Sequence, residues 1–149
     1  MRLLNAESSA DRKAISREFT CAGGTEAMFV ARDEIMRFLN DHGVSGEEEI
    51  DVLVALQEAL ANAVLHGCGN DAAKTIRCTV DVDDSEINIV VRDPGSGFDL
   101  SSIESAEGET NLTDHGRGIT LMRSLMDKVK YSHHGSEVHL MKRRGRSSD

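Results

Sequence analysis

The stretch Gln57–Gly67, QEALANAVLHG, decides how the rest of the chain is read. Its Ala, Leu and Val content predicts a core helix, yet Glu58, Asn62 and His66 recur along it at every fourth position. In a helix that spacing puts a carboxylate, an amide and an imidazole on one face, with neighbouring Cβ atoms about 5–6 Å apart. What such a polar stripe serves depends on two glycine-rich stretches further along the chain.

Immediately upstream, Ser45 and Glu48 have capping-box spacing, and Ile50, Leu53, Val54, Leu60, Ala61 and Val64 line the helix before Gly67-Cys68-Gly69 stops it. Further back, Thr25 is placed to cap an earlier helix whose Met28, Ala31, Ile35, Phe38 and Leu39 follow a 3–4 period, with Gly43 at its C-terminal end. Residues 13–21, KAISREFTC, alternate weakly and suit an edge strand; residues 1–12 are a flexible N-terminal end.

Downstream, Ile76, Cys78, Val80 and Val82 alternate with polar residues, and Ile87, Ile89 and Val91 repeat the pattern across the turn Asp83-Asp84-Ser85. That predicts an antiparallel hairpin. Residues 93–118 are polar and glycine-rich, a loop long enough to be functional or mobile, with a short helical turn near 101–104. A helix is expected from Ile119, packing Met122, Leu125, Met126 and Val129, and a closing hairpin of Val129–Ser132 and Glu137–Met141 turns around Gly135. The order implies the α+β class: a two-layer α/β sandwich with a mostly antiparallel mixed sheet and helices on one face.

Composition narrows the function classes. The chain has 149 residues and 39% hydrophobic content, which suits one folded domain, here 13–141 followed by a basic tail over 142–149. No apolar run approaches the roughly 20 residues that span a bilayer, and the opening MRLLNAESSADRK does not read as a signal peptide. Cys21, Cys68 and Cys78 are odd in number and lack C-x-x-C spacing, as expected of reduced thiols in a cytoplasmic protein. A net charge of −9 argues against nucleic-acid binding and fits solubility or a basic protein partner. The tail residues Lys142 to Arg146 are the exception and are expected to be solvated.

Two stretches carry the remaining chemistry. Asp93-Pro94-Gly95-Ser96-Gly97 follows a strand, so a carboxylate stands where the backbone can approach a ligand closely; a plain strand-exit turn reads equally well. Gly116-Arg117-Gly118 leads into a helix, where free backbone N–H groups and the dipole favour an anion. It lacks the G-K-[ST] of a P-loop. Asn62 offers an uncharged oxygen of the kind hard cations take alongside phosphates, and Glu58 one turn earlier is placed to accept a proton. Asn62 is otherwise a buried structural amide, and Glu58 a carboxylate that merely orients water or that amide. His66 is read as securing the helix end, and His133-His134 as an exposed turn.

Taken together, Glu58-x-x-x-Asn62-Ala63-x-x-His66-Gly67, Asp93-x-Gly95-x-Gly97 and Gly116-Arg117-Gly118 resemble the N box and the two glycine boxes of the GHKL ATPase superfamily. The form NAxxHG and the run GRGITLMRSLMDKVKY look most like bacterial anti-sigma-factor serine/threonine kinases. The resemblance implies ATP and Mg²⁺ as cofactors, Asn62 as the Mg²⁺ ligand and Glu58 as general base. It implies Asp93 on the adenine amino group, Gly95 and Gly97 beside the base, and Gly116, Arg117 and Gly118 nearest the phosphates. Ser136 falls where the family often has threonine near the adenine. The implied partners are a sigma factor and an anti-anti-sigma protein of the STAS type, with the chain a cytoplasmic homodimer that touches neither DNA nor membrane. A nucleotide-binding module that transfers no phosphate is the alternative, and a detached histidine-kinase ATPase domain a weaker one.

Overall fold

The computed structural model describes residues 14–95 and 114–145. The expected flexible end 1–12, Gly97 and the short helical turn near 101–104 lie outside the described residues. In chain order the elements are β1 (Ile15–Ala22), α1 (Thr25–Asp41), α2 (Gly46–Asn62), β2 (Thr75–Val82), β3 (Glu86–Arg92), α3 (Asp114–Leu125), β4 (Lys128–Ser132) and β5 (Glu137–Arg143). A π turn, Ala63–Gly67, continues α2, and a 3₁₀ turn, His133–Gly135, joins β4 to β5.

The five strands form one sheet in the order β1-β2-β3-β5-β4, every neighbouring pair antiparallel. The alternation legible in β2 and β3 is the burial pattern found: Ile76, Cys78, Val80, Val82, Ile87, Ile89 and Val91 are buried. Register carries the buried face across the sheet, so that Phe19, Cys78, Val91, Val138 and Tyr131 stand in one row. The helices cover that face. Ile35, Leu39, Leu56, Leu60, Ile119 and Met122 meet the strand residues there with essentially no exposure. Each such side chain contributes about 1.5–3 kcal/mol of burial. By length and apolarity alone Gly46–Gly67 passes as a membrane span. Its apolarity is explained by the core, since Val52, Ala55, Leu56, Ala59 and Leu60 are buried in it.

Four local expectations need correction. Gly24, not Thr25, stands at the N-cap of α1, within the usual one-residue uncertainty of helix ends. Ser45 is the N-cap of α2, but its side chain makes no capping bond. Glu48, the other half of the expected capping box, instead reaches Arg144 at 3.6 Å and accepts the Gly145 N–H at 2.6 Å. The last long helix opens at Asp114 instead of Ile119. Finally, the boundary expected after residue 141 falls inside β5. Lys142 pairs with Ile87, and Arg143 with Glu86, on β3. The Lys142 ammonium binds Asp51 at 2.9 Å and the Leu125 carbonyl at 2.7 Å, so this part of the tail belongs to the fold.

Candidate functional site

The polar stripe of α2 lies where the helix leaves its regular course. Glu58 and Asn62 are one turn apart at its C-terminal end, and the chain then widens into the π turn, where Cys68 N–H donates to Ala63 O at 2.9 Å. Such widenings recur at functional sites because they re-aim the residues around them. Here the widening brings exposed His66 and half-buried Gly67 to the rim of a cleft whose walls include Asn62, Asp93, Tyr131 and Ser136. Ala59, Val91 and Val138 supply its apolar floor.

Asp93 follows the last residue of β3. Its N–H donates to Ser136 O at 2.9 Å, which ties the end of β3 to the turn before β5. Its Oδ1 accepts the Gly95 N–H at 2.7 Å. Burial pushes the carboxyl above its usual value, and the Gly95 N–H offsets part of that rise. Two glycines make this seat possible. A methyl group on Gly67 would overlap the Asp93 carboxylate, and one on Gly95 would stand 2.8 Å from Gly67 O and 2.9 Å from Gly67 Cα. The backbone of the π turn and the backbone after β3 thus close on the carboxylate from two sides.

Gly118 is buried in α3 and faces the stripe of α2. A methyl group on it would lie 2.8 Å from Glu58 Oε1, 3.5 Å from Asn62 Nδ2 and 3.8 Å from Asn62 Oδ1. The second glycine stretch therefore packs on the carboxylate and amide that the sequence singled out. Gly116 and Arg117 fall in the first turn of α3, where backbone N–H groups have no intrahelical acceptor. Arg117 is exposed. Ser136 is 7% exposed, and its hydroxyl donates to His133 O at 2.9 Å, so in this structure it closes the 3₁₀ turn. Gly97 lies outside the described residues.

The arrangement fits a metal-bound nucleotide. Among the described residues no group of three His, Cys, Asp or Glu side chains is placed to hold a metal by itself. An oxygen such as Asn62 Oδ1 suits Mg²⁺, which is commonly held by one or two protein groups plus substrate phosphates. Asn62 Nδ2 is buried with no conventional hydrogen bond, as expected of an amide built to meet another group. Two features of the cleft escaped sequence reasoning. Tyr131 is one, although its place two residues after Val129 on an alternating strand was the available signal. The other is Gly67, read as a helix stop and the end of the N box but given no role of its own.

Comparison with known proteins places the chain in a family. Residues 24–142 match the family described as the histidine kinase-like ATPase domain. The anti-sigma F factor of Clostridium acetobutylicum is 34% identical over 105 residues, covering 67% of this chain and 71% of that one. Serine-protein kinase RsbW of Oceanobacillus iheyensis is 32% identical over 112 residues, covering 70% and 71%. Among solved structures, the RsbU and RsbW domains of a Mycobacterium tuberculosis protein superpose with a TM-score of 0.61 over 87% of this chain at 17% identity. This chain spans 32% of that longer one, and the likeness bears on fold alone. Sequence boxes, sheet order and cleft converge: the chain belongs to the histidine kinase-like ATPase family, in the group that holds anti-sigma factors and their serine kinases.

Proposed function

We propose that this protein is a cytoplasmic anti-sigma factor and Mg-ATP-dependent serine/threonine kinase, which phosphorylates an anti-anti-sigma protein of the STAS type and acts as a homodimer. The observation that carries the reading is the convergence of Gly118 on Glu58 and Asn62, beside a carboxylate seat at Asp93 that only glycines at 67 and 95 permit. The names of the relatives support the kinase and sigma-factor roles.

In this reading Asp93 accepts a hydrogen bond from the adenine amino group, with Ala59, Val91, Val138 and Ser136 around the base. Gly116, Arg117 and Gly118 lie nearest the phosphates. Asn62 would hold Mg²⁺ through Oδ1. When bound, the metal neutralises phosphate charge, and that, together with positioning, does most of the work in phosphoryl transfer. Glu58 takes the proton of the attacking serine or threonine hydroxyl. The hydroxyl oxygen bonds to the γ-phosphorus as the bond to the β-phosphate oxygen breaks, and ADP leaves. The acidic surface, −9 overall, complements a basic partner.

The test is transfer of labelled γ-phosphate from ATP to a cognate anti-anti-sigma protein. Label on a serine or threonine of that partner, dependent on Mg²⁺, is the expected result. Firm ATP binding with no label on the partner establishes the second reading, a module that uses nucleotide only to shape a protein-binding surface.

A further inference from the structure

Arg77 on β2 and Arg92 on β3 stand directly opposite each other. Among the described residues this is the only opposed pair in the sheet that sets two permanent charges of like sign face to face. Like charges so placed destabilise a sheet, and a local cost of this kind is most often carried where function needs it. The next residues, Cys78 and Val91, are buried in the core. By strand alternation both guanidiniums therefore project away from the face that the helices cover. Both are well exposed, 67% for Arg77 and 52% for Arg92. With Thr75, Asp93 and Pro94 they line an open hollow of about 320 Å³. Asp93 turns its carboxylate away, against Gly67 of the π turn.

Each guanidinium has an acidic neighbour. Arg77 Nη1 lies 3.3 Å from Glu18 Oε2, and Arg92 Nη1 lies 3.6 Å from Glu137 Oε1. Exposed pairs of this kind are worth little, so they yield to a ligand that engages both arginines. Glu137 also accepts the Ser132 hydroxyl at 3.2 Å and keeps that donor when Arg92 turns away. An arginine fork matches a carboxylate, two N–H groups to two oxygens. Two forks on opposed strand residues, with Cβ atoms about 5 Å apart, suit two neighbouring carboxylates. Glu18 and Glu137 flank the pair and the whole chain carries −9, so a long polyanion such as nucleic acid meets repulsion on either side. A short acidic run ends before it reaches them. We propose that the hollow at Arg77 and Arg92 is a docking surface for a short acidic segment of a protein partner, with adjacent Asp or Glu carboxylates on the two guanidiniums. It goes beyond the nucleotide reading: its occupancy needs no nucleotide, and its partner has the opposite charge to the basic one that the acidic surface complements.

The experiment titrates octaglutamate into the isotope-labelled full chain and follows backbone amide and arginine Nε–H signals by nuclear magnetic resonance. At low ionic strength the signals of Thr75, Arg77 and Arg92 are expected to shift, and the effect should recede as salt is added. Octaglutamine should shift none of them. Arg77→Gln and Arg92→Gln should each weaken the peptide about three- to tenfold, and Arg77→Glu combined with Arg92→Glu should abolish its binding. Removing one of two opposed like charges should leave each glutamine variant melting no lower than wild type, which separates a lost ligand from a lost fold. Absent shifts, shifts centred elsewhere, equal shifts with octaglutamine, or undiminished binding by the doubly reversed variant each overturn the docking surface. So does oligodeoxythymidine that binds there as tightly as octaglutamate, which makes it a nucleic-acid site, or inorganic phosphate that does so, which reduces it to a site for small anions.

Discussion

Gly67 and Asp93 share one space: the carboxylate lies where the side chain of any other residue at 67 would begin. Both groups sit at ends of regular elements, Gly67 in the π turn after α2 and Asp93 just past β3. Gly67→Ala is therefore expected to displace Asp93, cost about 1–3 kcal/mol through overpacking and remove measurable ATP binding. Calorimetric titration with ATP, alongside a thermal melt, checks both; wild-type affinity in a folded variant would refute the seat.

Asp93→Asn should separate binding from stability. Burial raises the folded pKa of Asp93 above its unfolded value, so the fold holds the neutral form more tightly. The sign follows: stability is lost as pH rises through the unfolded and then the folded pKa, and at neutral pH ionised Asp93 is a cost. The neutral amide keeps an oxygen for the Gly95 N–H, so the nucleotide-free variant should melt higher than wild type at neutral pH, with the difference vanishing in acid. Loss of a charge-assisted bond to adenine should weaken ATP binding about ten- to a hundredfold. In wild type, affinity should begin to fall on acidification at higher pH than an ordinary aspartate would give.

Glu58→Gln and Gly118→Ala probe the place where α3 meets the polar stripe of α2. Glu58→Gln should leave ATP binding within a few-fold of wild type while lowering transfer to the partner about 10²–10⁴-fold. In Gly118→Ala the new methyl meets the flexible end of Glu58 at 2.8 Å, not backbone, so the protein should fold and bind nucleotide yet transfer phosphate slowly. Transfer at the wild-type rate in either variant would remove Glu58 from the reaction.

Lys142→Ala should lower stability by about 1–3 kcal/mol, since the ammonium binds both Asp51 and the Leu125 carbonyl in a part-buried setting. Denaturant unfolding measures it. A change below a few tenths of a kcal/mol would return residue 142 to the solvated tail.

The three thiols should be inert in the folded protein. Burial pushes Cys78 up to about 12 and raises Cys21 and Cys68 as well, so little thiolate is present near neutral pH. Alkylation by iodoacetamide at mildly alkaline pH should be slow until denaturant is added, then complete at three sites. Rapid labelling of Cys68 or Cys78 in the native protein would contradict their buried positions.

The parts of this fold that sequence made legible are those governed by period. Alternation in Ile76–Val82 and Ile87–Val91 and the 3–4 spacing of α1 each depend on neighbours in the chain, and the structure follows them. The Ser45/Glu48 capping box failed for a tertiary reason: Arg144, nearly a hundred residues away, offers Glu48 a charged partner. The end of β5 was hidden likewise, because lysine and arginine give no apolar signal while Lys142 points its stem inward and its charge toward Asp51. In the site, Glu58, Asn62 and Asp93 were legible because they interrupt apolar or turn patterns. Tyr131 was not, since on a buried strand face an aromatic residue reads as packing, and only register across β3 and β5 shows what stands above it.

The cleft draws its walls from Ala59–Gly67, Val91–Asp93 and Tyr131–Val138, three segments far apart along the chain. A nascent polypeptide can complete α1, α2 and the β2–β3 hairpin and still lack the last wall, which arrives only with β4 and β5. Affinity for a ligand seated there thus appears late and all at once, as a property of the finished molecule. By mass action the same ligand shields finished molecules from proteases that cut opened chains, by a factor of about one hundred at a hundredfold excess over Kd. On the proposed function, nucleotide would be that ligand, shielding chains that reached their final strand and not those that stop short of it.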